Sequence, residues 1–178
     1  MITHPEKVLF PEDGITKREL ANYYASLMDW LLPEIRDRPL SLVRCPDGWK
    51  KGCFYQKNAS DSVDASVDRV EVQTNEGAAT YMMANSVSAV VALLQMGVLE
   101  IHPWGASSPK LGFPDRIVFD FDPDDDLPWK NLVQAVKVLR TLLEELGLQC
   151  FLKTTGGKGL HIVVPIDPVD PAITILPL

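Results

Sequence analysis

Two aspartates separated by one residue, Asp120 and Asp122, lie at the end of the apolar stretch "RIVFDF", in a run with five aspartates in seven positions. If the stretch is a strand, residues two apart project to the same face, so the two carboxylates repel each other unless a cation lies between them. Carboxylate oxygens suit Mg²⁺ or Mn²⁺, which commonly keep waters and substrate phosphates as further ligands. The pair predicts a divalent metal site, with a purely structural acidic turn as the alternative.

The rest of the acidic run, Asp124–Asp126, lies between prolines and predicts a solvated turn. Asp125 or Asp126 is placed to cap the helix that follows. A calcium-binding EF-hand loop is excluded, because Asp125 occupies the sixth position, where glycine is needed, and Asn131 the twelfth, where glutamate is needed.

A second candidate element is the glycine-rich stretch "KTTGGKGLHIVVP", residues 153–165. Its glycines let backbone N–H groups converge on an anion, Lys158 adds a positive charge, and the Thr155 hydroxyl adds a donor. The stretch predicts a phosphate-binding turn between two strands, and an ordinary glycine-rich hairpin is the alternative. It is not a Walker loop, because the spacing differs and no helix follows directly.

A third element is the strand-end histidine His102 in "LEIHPWG". A single histidine at a strand end is more often structural than functional. Three elements in one chain together predict a site for a metal ion and nucleotide phosphates: the paired aspartates, the cationic glycine turn and the strand-end histidines.

The elements that must position these residues follow from hydrophobic periodicity. Thr16 and Glu19 have the spacing of a capping box, and the apolar stripe after them predicts a helix that ends at Pro33. "LSLVR" and "VLEIHP" predict strands, and the chain after Arg116 reads as strand, acidic turn, helix, strand, glycine turn and strand. The predicted fold class is mixed α/β, of the α+β type.

The stretch Gly77–Leu99 carries no charged residue and is long enough to raise the question of a membrane span. Its polar residues argue against a span, and helical spacing of its valines predicts a buried helix that ends near Gly97. No membrane partner is expected.

Composition narrows the remaining possibilities. The chain has 178 residues, 46% of them hydrophobic, which suffices for one core or for two small subdomains that share a cleft; one soluble domain is the default expectation. The net charge of −7 argues against a simple nucleic-acid binder, although residues 1–60 carry +1 and residues 61–178 carry −8. The chain lacks a secretory signal pattern and a CxxC pair, so we expect a cytoplasmic protein with three reduced thiols.

Six segments occur in the order found in the polymerase domain of bacterial ligase D, and on them the chain resembles that family. They are "KVLFPEDGITKRELANYY", "LSLVRCPDG", "CFYQK", "LEIHPWG", "IVFDFDP" and "TTGGKGLHIVVP". The family belongs to the archaeo-eukaryotic primase superfamily and extends DNA or RNA ends in non-homologous end joining. The resemblance implies a mixed-sheet primase-polymerase core with flanking helices.

The resemblance also implies roles for the candidate site. Asp120 and Asp122 match the two catalytic metal ligands of the family, which hold Mn²⁺ or Mg²⁺ against a nucleoside triphosphate (NTP or dNTP) and the primer hydroxyl. His102, Lys158 and His161 match triphosphate contacts, with Thr155 in place of the serine usual at that position.

A further set of residues matches the DNA contacts of the family. Lys7 and Lys17 match lysines that hold the downstream 5′-phosphate, and solvated surface lysines are the alternative. Phe54 and Tyr55 match an aromatic pair that packs on DNA bases, and a core aromatic is the alternative for Phe54. Arg44 and Lys57 are expected near the same groove.

The family domain continues beyond the histidine turn to a third metal-binding aspartate, whereas this chain ends in "IDPVDPAITILPL". We therefore expect residues 1–165 to be the N-terminal part of the domain, incomplete at its C-terminal end, followed by a Pro-rich apolar tail at 166–178. Asp167 and Asp170 are poor substitutes for the missing ligand.

The expected function is a metal-dependent nucleotidyltransferase that adds nucleotides at DNA ends. A catalytically inactive remnant that still binds 5′-phosphorylated DNA ends is the alternative, and a generic metal-dependent phosphatase or nuclease is more distant. Beside DNA and nucleotides, the expected partners are a ligase domain and the end-joining protein Ku, at the nucleoid DNA of a bacterial cytoplasm.

Overall fold

Residues 2–74 and 77–168 are described by a computed structural model, in which the chain divides into two units, Met1–Leu111 and Gly112–Leu178. Each unit has its own cluster of buried apolar side chains. Of the two arrangements that composition allows, the chain thus has two separate cores. The predicted tail is described as far as Pro168, and the rest of that prediction, including Asp170, lies outside the described residues.

The first unit is built on a five-stranded sheet with three helices and a small β-ladder. Strand β3 pairs with β4, β6 and β7, and β6 pairs in turn with β5, all antiparallel. The elements in chain order are β1 Val8–Phe10, β2 Ile15–Thr16, α1 Lys17–Ser26, α2 Met28–Ile35, β3 Leu40–Arg44, a 3₁₀-helix at Trp49–Lys51, β4 Phe54–Gln56, β5 Asp68–Thr74, β6 Gly77–Met83, α3 Val87–Gln95 and β7 Val98–Pro103.

The second unit packs one long helix on an antiparallel three-stranded sheet in the order β8-β10-β9. Its core is formed by buried residues of α4 and β10, with partly buried side chains of β8 packed against them. The elements are β8 Arg116–Phe121, α4 Trp129–Glu145, β9 Phe151–Thr154 and β10 Leu160–Pro165. The predicted order of strand, turn, helix, strand, glycine turn and strand is confirmed.

The capping box at the start of α1 is present as predicted. The Thr16 hydroxyl accepts from the Glu19 backbone N–H at 3.3 Å, and the Glu19 carboxylate accepts from the Thr16 backbone N–H at 2.8 Å. The predicted end of the helix is wrong. The helix breaks at Leu27 and restarts as α2, and Pro33 lies inside α2 and does not end it.

The buried helix predicted to end near Gly97 is confirmed as α3, and the earlier part of the uncharged stretch Gly77–Leu99 forms a strand. Residues 77–83 form β6, because the alternating stretch Asp68–Thr74 pairs with them residue by residue in an antiparallel hairpin. The helical part, α3, ends at Gln95, and Gly97 follows with a positive φ of 82°. None of the helices in the described ranges 2–74 and 77–168 has the length and apolarity needed to cross a membrane.

The expectation of three reduced thiols is wrong for two of them. Cys45 and Cys53 form a disulfide, and Cys150 is free. The pairing follows from the β3–β4 hairpin, in which Arg44 lies opposite Phe54 and the next residues outward are the two cysteines. A search for CxxC spacing misses such a pair, because strand register and not sequence separation brings the sulfurs together.

The capping box makes a testable contribution to stability. We expect Thr16→Ala to lower the free energy of unfolding by about 1 kcal/mol, because a backbone N–H at the start of α1 loses its acceptor. Urea denaturation followed by circular dichroism measures this loss. Thr141→Ala is the matched control, because the Thr141 hydroxyl bonds only to the Lys137 carbonyl inside α4. An equal effect of both changes would contradict the assignment.

Candidate functional site

Asp120 lies on the face of β8 that points away from the α4 core, and Asp122 follows directly after the strand. Ile117, Phe119 and Phe121 pack against that core, whereas the alternate residue Asp120 and the next, Asp122, are exposed. The prediction that both carboxylates share one face agrees with this alternation. A cation that approaches this face meets two oxygen-bearing groups at the end of one strand.

His161 lies directly opposite Asp120 on the neighbouring strand β10. Its Nε2 atom is 3.2 Å from the Asp120 Oδ1 atom, so the imidazole and the carboxylate form a polar pair. Leu160 and Ile162 on either side are buried, which fixes the face on which His161 projects. The structure therefore brings His161 and Asp120 together, as a common site requires.

Lys153 extends the same row to a third strand. It lies opposite His161 on β9, so that a carboxylate, an imidazole and an ammonium group follow one another across the sheet. Lys153 does not stand out in the sequence, because it precedes the glycine turn and looks like an ordinary strand residue. The signal that could have found it is the register of the β9–β10 hairpin, which places Lys153 opposite His161.

The glycine turn is held together by Thr155 and lies close to the end of β8. The Thr155 hydroxyl accepts from the Gly157 N–H at 3.3 Å and donates to the Gly159 carbonyl at 3.1 Å. A Cβ atom on Gly159 would lie 3.0 Å from the Phe121 carbonyl oxygen, so only glycine fits there without displacement. The turn is thereby fixed next to the backbone that joins Asp120 to Asp122.

Lys158, at the tip of the turn, pairs with the acidic loop. Its ammonium group donates to Asp125 Oδ1 at 2.6 Å. This bond raises the pKa of Lys158 and lowers the pKa of Asp125, and Asp122 adds attraction to Lys158. The prediction that Asp125 or Asp126 caps α4 is wrong: the N-cap is Pro128 with no side-chain bond, and Asp125 is engaged by Lys158 instead.

The donor set at Asp120 and Asp122 consists of two exposed carboxylates. Among residues 2–74 and 77–168, no group of three or more His, Cys, Asp or Glu side chains is arranged to hold a metal ion. Two exposed carboxylates suit a Mg²⁺ or Mn²⁺ ion that takes its remaining ligands from water and substrate phosphates. The residues therefore fit a cation bound together with its substrate.

In the first unit, Lys7 and Lys17 line one pocket with a volume of about 580 Å³. The Lys7 ammonium contacts the Pro46 carbonyl at 2.5 Å and the Asp47 carboxylate at 2.9 Å. The Lys17 ammonium donates to the carbonyls of Thr3 at 3.2 Å and Gln95 at 3.1 Å.

Lys17 is only 7% exposed, so the alternative of a solvated surface lysine is wrong for it. Burial lowers its pKa, and repulsion from Lys7 lowers the pKa further. An anion bound in the pocket would relieve that repulsion.

The predicted aromatic contacts lie on the surface of the β3–β4 hairpin. Phe54 is 48% exposed and Tyr55 70% exposed, so the alternative of a core aromatic is wrong for Phe54. Lys57, just after β4, is half-buried.

Arg44 is used mainly within the protein. It donates to the Met96 carbonyl at 3.0 and 2.8 Å and to the Gln56 amide oxygen at 2.6 Å, and its guanidinium lies 5.4 Å from the Phe54 ring centroid. Burial lowers its pKa. Arg44 therefore packs against the Phe54 ring, and its contact with DNA stays a prediction.

His102 belongs to the first unit, on β7. Its Nε2 atom is 2.9 Å from the Glu100 carboxylate, and its ring centroid is 6.3 Å from that of Tyr55. The side chain is exposed, so it is not a core histidine. Its role as a triphosphate contact stays a prediction.

The pair of Lys158 and Asp125 can be tested by titration. Because the pKa of Asp125 is lowered, the pair persists above the usual carboxyl pKa and is lost as the pH falls through the lowered value. We expect Lys158→Met to raise the pKa of Asp125 towards its ordinary value. A pH titration followed by NMR of the Asp125 side-chain carboxyl carbon measures this change. Lys153→Met is the control, and an unchanged Asp125 midpoint in Lys158→Met would disprove the pairing.

Comparisons with known proteins show the family of this chain. The family profile described as "LigD, primase-polymerase domain" matches residues 16–174. The multifunctional non-homologous end joining proteins LigD of Pseudomonas aeruginosa and Mycolicibacterium smegmatis are 42% and 32% identical over 93% and 95% of this chain. The chain spans only 20% and 23% of the length of these two relatives.

A solved structure, the polymerase domain of Mycobacterium tuberculosis ligase D in complex with DNA, superposes with a TM-score of 0.87 at 31% identity. The match covers 94% of this chain and 61% of that one. The mixed α/β fold is shared, and this chain belongs to the LigD primase-polymerase domain family.

Proposed function

We propose that this chain is a metal-dependent nucleotidyltransferase that adds nucleotides to DNA ends in non-homologous end joining. The observation that carries the proposal is the β8–β10 ladder, which fixes Asp120 against His161 and sets the glycine turn beside Asp122. Phosphoryl transfer from a nucleoside triphosphate requires carboxylates that hold a cation and donors that hold the phosphates, and both occur at this edge of the sheet.

The roles of the residues follow from their chemistry. Asp120 and Asp122 would hold Mn²⁺ or Mg²⁺, which when bound neutralises phosphate charge and lowers the pKa of the attacking hydroxyl. Lys158 exchanges its Asp125 contact for a triphosphate oxygen, because both are anions presented to the same ammonium group. His161 and Lys153 donate to further oxygens, and Thr155 keeps the turn in the shape that exposes its N–H groups. We also assign to His102 the triphosphate contact that the family resemblance implies.

DNA-end recognition is the second part of the proposal. The solved relative is a ligase D polymerase domain in complex with DNA, which supports binding of DNA by this chain. Lys7 and Lys17 supply two cations within one pocket, a suitable receptor for the downstream 5′-phosphate. Phe54 and Tyr55 offer exposed rings on which any base can stack. Arg44 and Lys57 flank these rings.

The setting of the activity is part of the same proposal. The relatives are named as multifunctional end-joining proteins, so we place the chain in a bacterial cytoplasm, at nucleoid DNA, with a ligase domain and Ku as partners.

A second candidate function, binding of 5′-phosphorylated ends without catalysis, is favoured by one observation. The pocket of Lys7 and Lys17 is lined by residues of the first unit alone. End binding therefore does not require the aspartates of the second unit.

The catalytic proposal predicts the effect of removing either carboxylate. We expect Asp120→Asn and Asp122→Asn to lower templated ribonucleotide addition to a gapped duplex with Mn²⁺ by ~10²-fold or more, the usual cost of one positioned charge stabiliser. The measurement is primer extension resolved on a denaturing gel. Asp126→Asn, in the exposed acidic turn, is the control. Addition at the parental rate by either variant would refute the metal site, and end binding by an inactive parent would favour the second function.

The end-binding part predicts a preference for 5′-phosphate. We expect a gapped duplex with a downstream 5′-phosphate to bind at least tenfold more tightly than its 5′-hydroxyl counterpart, and added salt to weaken binding steeply. Lys7→Met and Lys17→Met should remove the preference, because each deletes one cation from the pocket. Lys110→Met, an exposed lysine of the same unit, is the control. Fluorescence anisotropy measures the affinity for each duplex. Equal affinity of the parent for both duplexes would contradict the assignment of the pocket to the 5′-phosphate.

A further inference from the structure

The loop between β3 and β4 carries an aromatic and cationic cluster that the sites above do not use. It is closed at its base by the Cys45–Cys53 disulfide and contains a short 3₁₀-helix, Trp49–Lys51. Trp49 is 45% exposed, and Lys50 and Lys51, which follow it directly, are exposed as well. The indole ring is therefore accessible to a ligand, with two ammonium groups next to it in the sequence.

The loop is held next to the pocket of Lys7 and Lys17. Gly48 has a φ of 97°, and a Cβ atom placed on it would lie 3.0 Å from the Leu9 carbonyl oxygen. Leu9 and Pro46 both line the pocket, and Pro46 lies three residues before Trp49 in the same loop. The ring of Trp49 therefore stands on a loop whose base forms part of the pocket wall.

The chemistry of the loop fits a nucleic-acid strand. Trp49, Phe54 and Tyr55 are three exposed aromatic rings on one hairpin, interleaved with lysines. The Lys50 ammonium lies 5.8 Å from the Trp49 ring centroid and also pairs with Glu12. Lys51 is exposed, and its charge lowers the pKa of Asp47, so its ammonium group is accessible to a phosphate. Aromatic rings for bases and ammonium groups for the backbone are the combination by which proteins bind single-stranded nucleic acid without sequence preference.

We propose that Trp49 and Lys51 form a binding site for the nucleotide that follows a 5′-phosphate held by Lys7 and Lys17, with its base on the indole ring and its next phosphate at Lys51. The site rests on the proposed DNA-end binding and adds a contact to it. It is sequence-tolerant, because every base offers a face to the ring.

The test compares variants in their affinity for a gapped duplex with a 5′-phosphate, measured by fluorescence anisotropy. We expect Trp49→Ala to weaken binding about tenfold, the loss typical of one stacked base, and Trp49→Phe to keep most of the affinity because a ring remains. Trp30→Ala is the matched control, since Trp30 is 72% exposed on α2 and has no lysine beside it in the sequence. Lys51→Met should weaken binding less and reduce its salt dependence.

Intrinsic fluorescence provides a second measurement that needs no alanine variant. Stacking of a base on Trp49 should quench the emission of the parent protein when DNA is added, and Trp49→Phe should lose that quenching while still binding. Parental affinity in Trp49→Ala, or undiminished quenching in Trp49→Phe, would overturn the inference and leave end binding intact. Absence of DNA binding by the parent would overturn both.

Discussion

The antiparallel ladder between β8 and β10 is the interaction on which the second unit depends. Backbone pairing alone sets Asp120 opposite His161, and the same register sends Leu160, Ile162 and Val164 into the core beneath α4. Burial of that apolar set therefore fixes the polar set on the other face, because residues along a strand alternate. The packing that stabilises the unit therefore also sets Asp120 opposite His161.

In the first unit, burial and a neighbouring positive charge both disfavour the charged form of Lys17. Its ammonium group is buried among carbonyl oxygens and stands near Lys7, and both effects lower its pKa. A cation kept in this position is a cost to the free protein, which carbonyl contacts offset only in part. An anionic ligand would convert the repulsion between the two lysines into shared attraction, so the proposed phosphate would bind better than a neutral group of equal size.

Much of this arrangement follows from the sequence, and the parts that do not have a common physical cause. The strands β8 and β10, the helix α4 and the capping box at Thr16 are local patterns with a period or a spacing, so they are predictable. Other features depend on which segments become neighbours in space: the Cys45–Cys53 disulfide, the strand Gly77–Met83 and the Lys158–Asp125 pair. Register and long-range pairing decide these, and neither is visible in a local pattern.

The close approach of Gly159 to the end of β8 restricts how the length of the chain can vary. One residue inserted or deleted in the turn at 155–159 would shift β9 by one place against β10, and Lys153 would move to the opposite face from His161. The turn thus acts as a fixed spacer. The acidic stretch at 123–128 lies outside the strands, so a change of length there would leave the pairing of β8 with β10 in place.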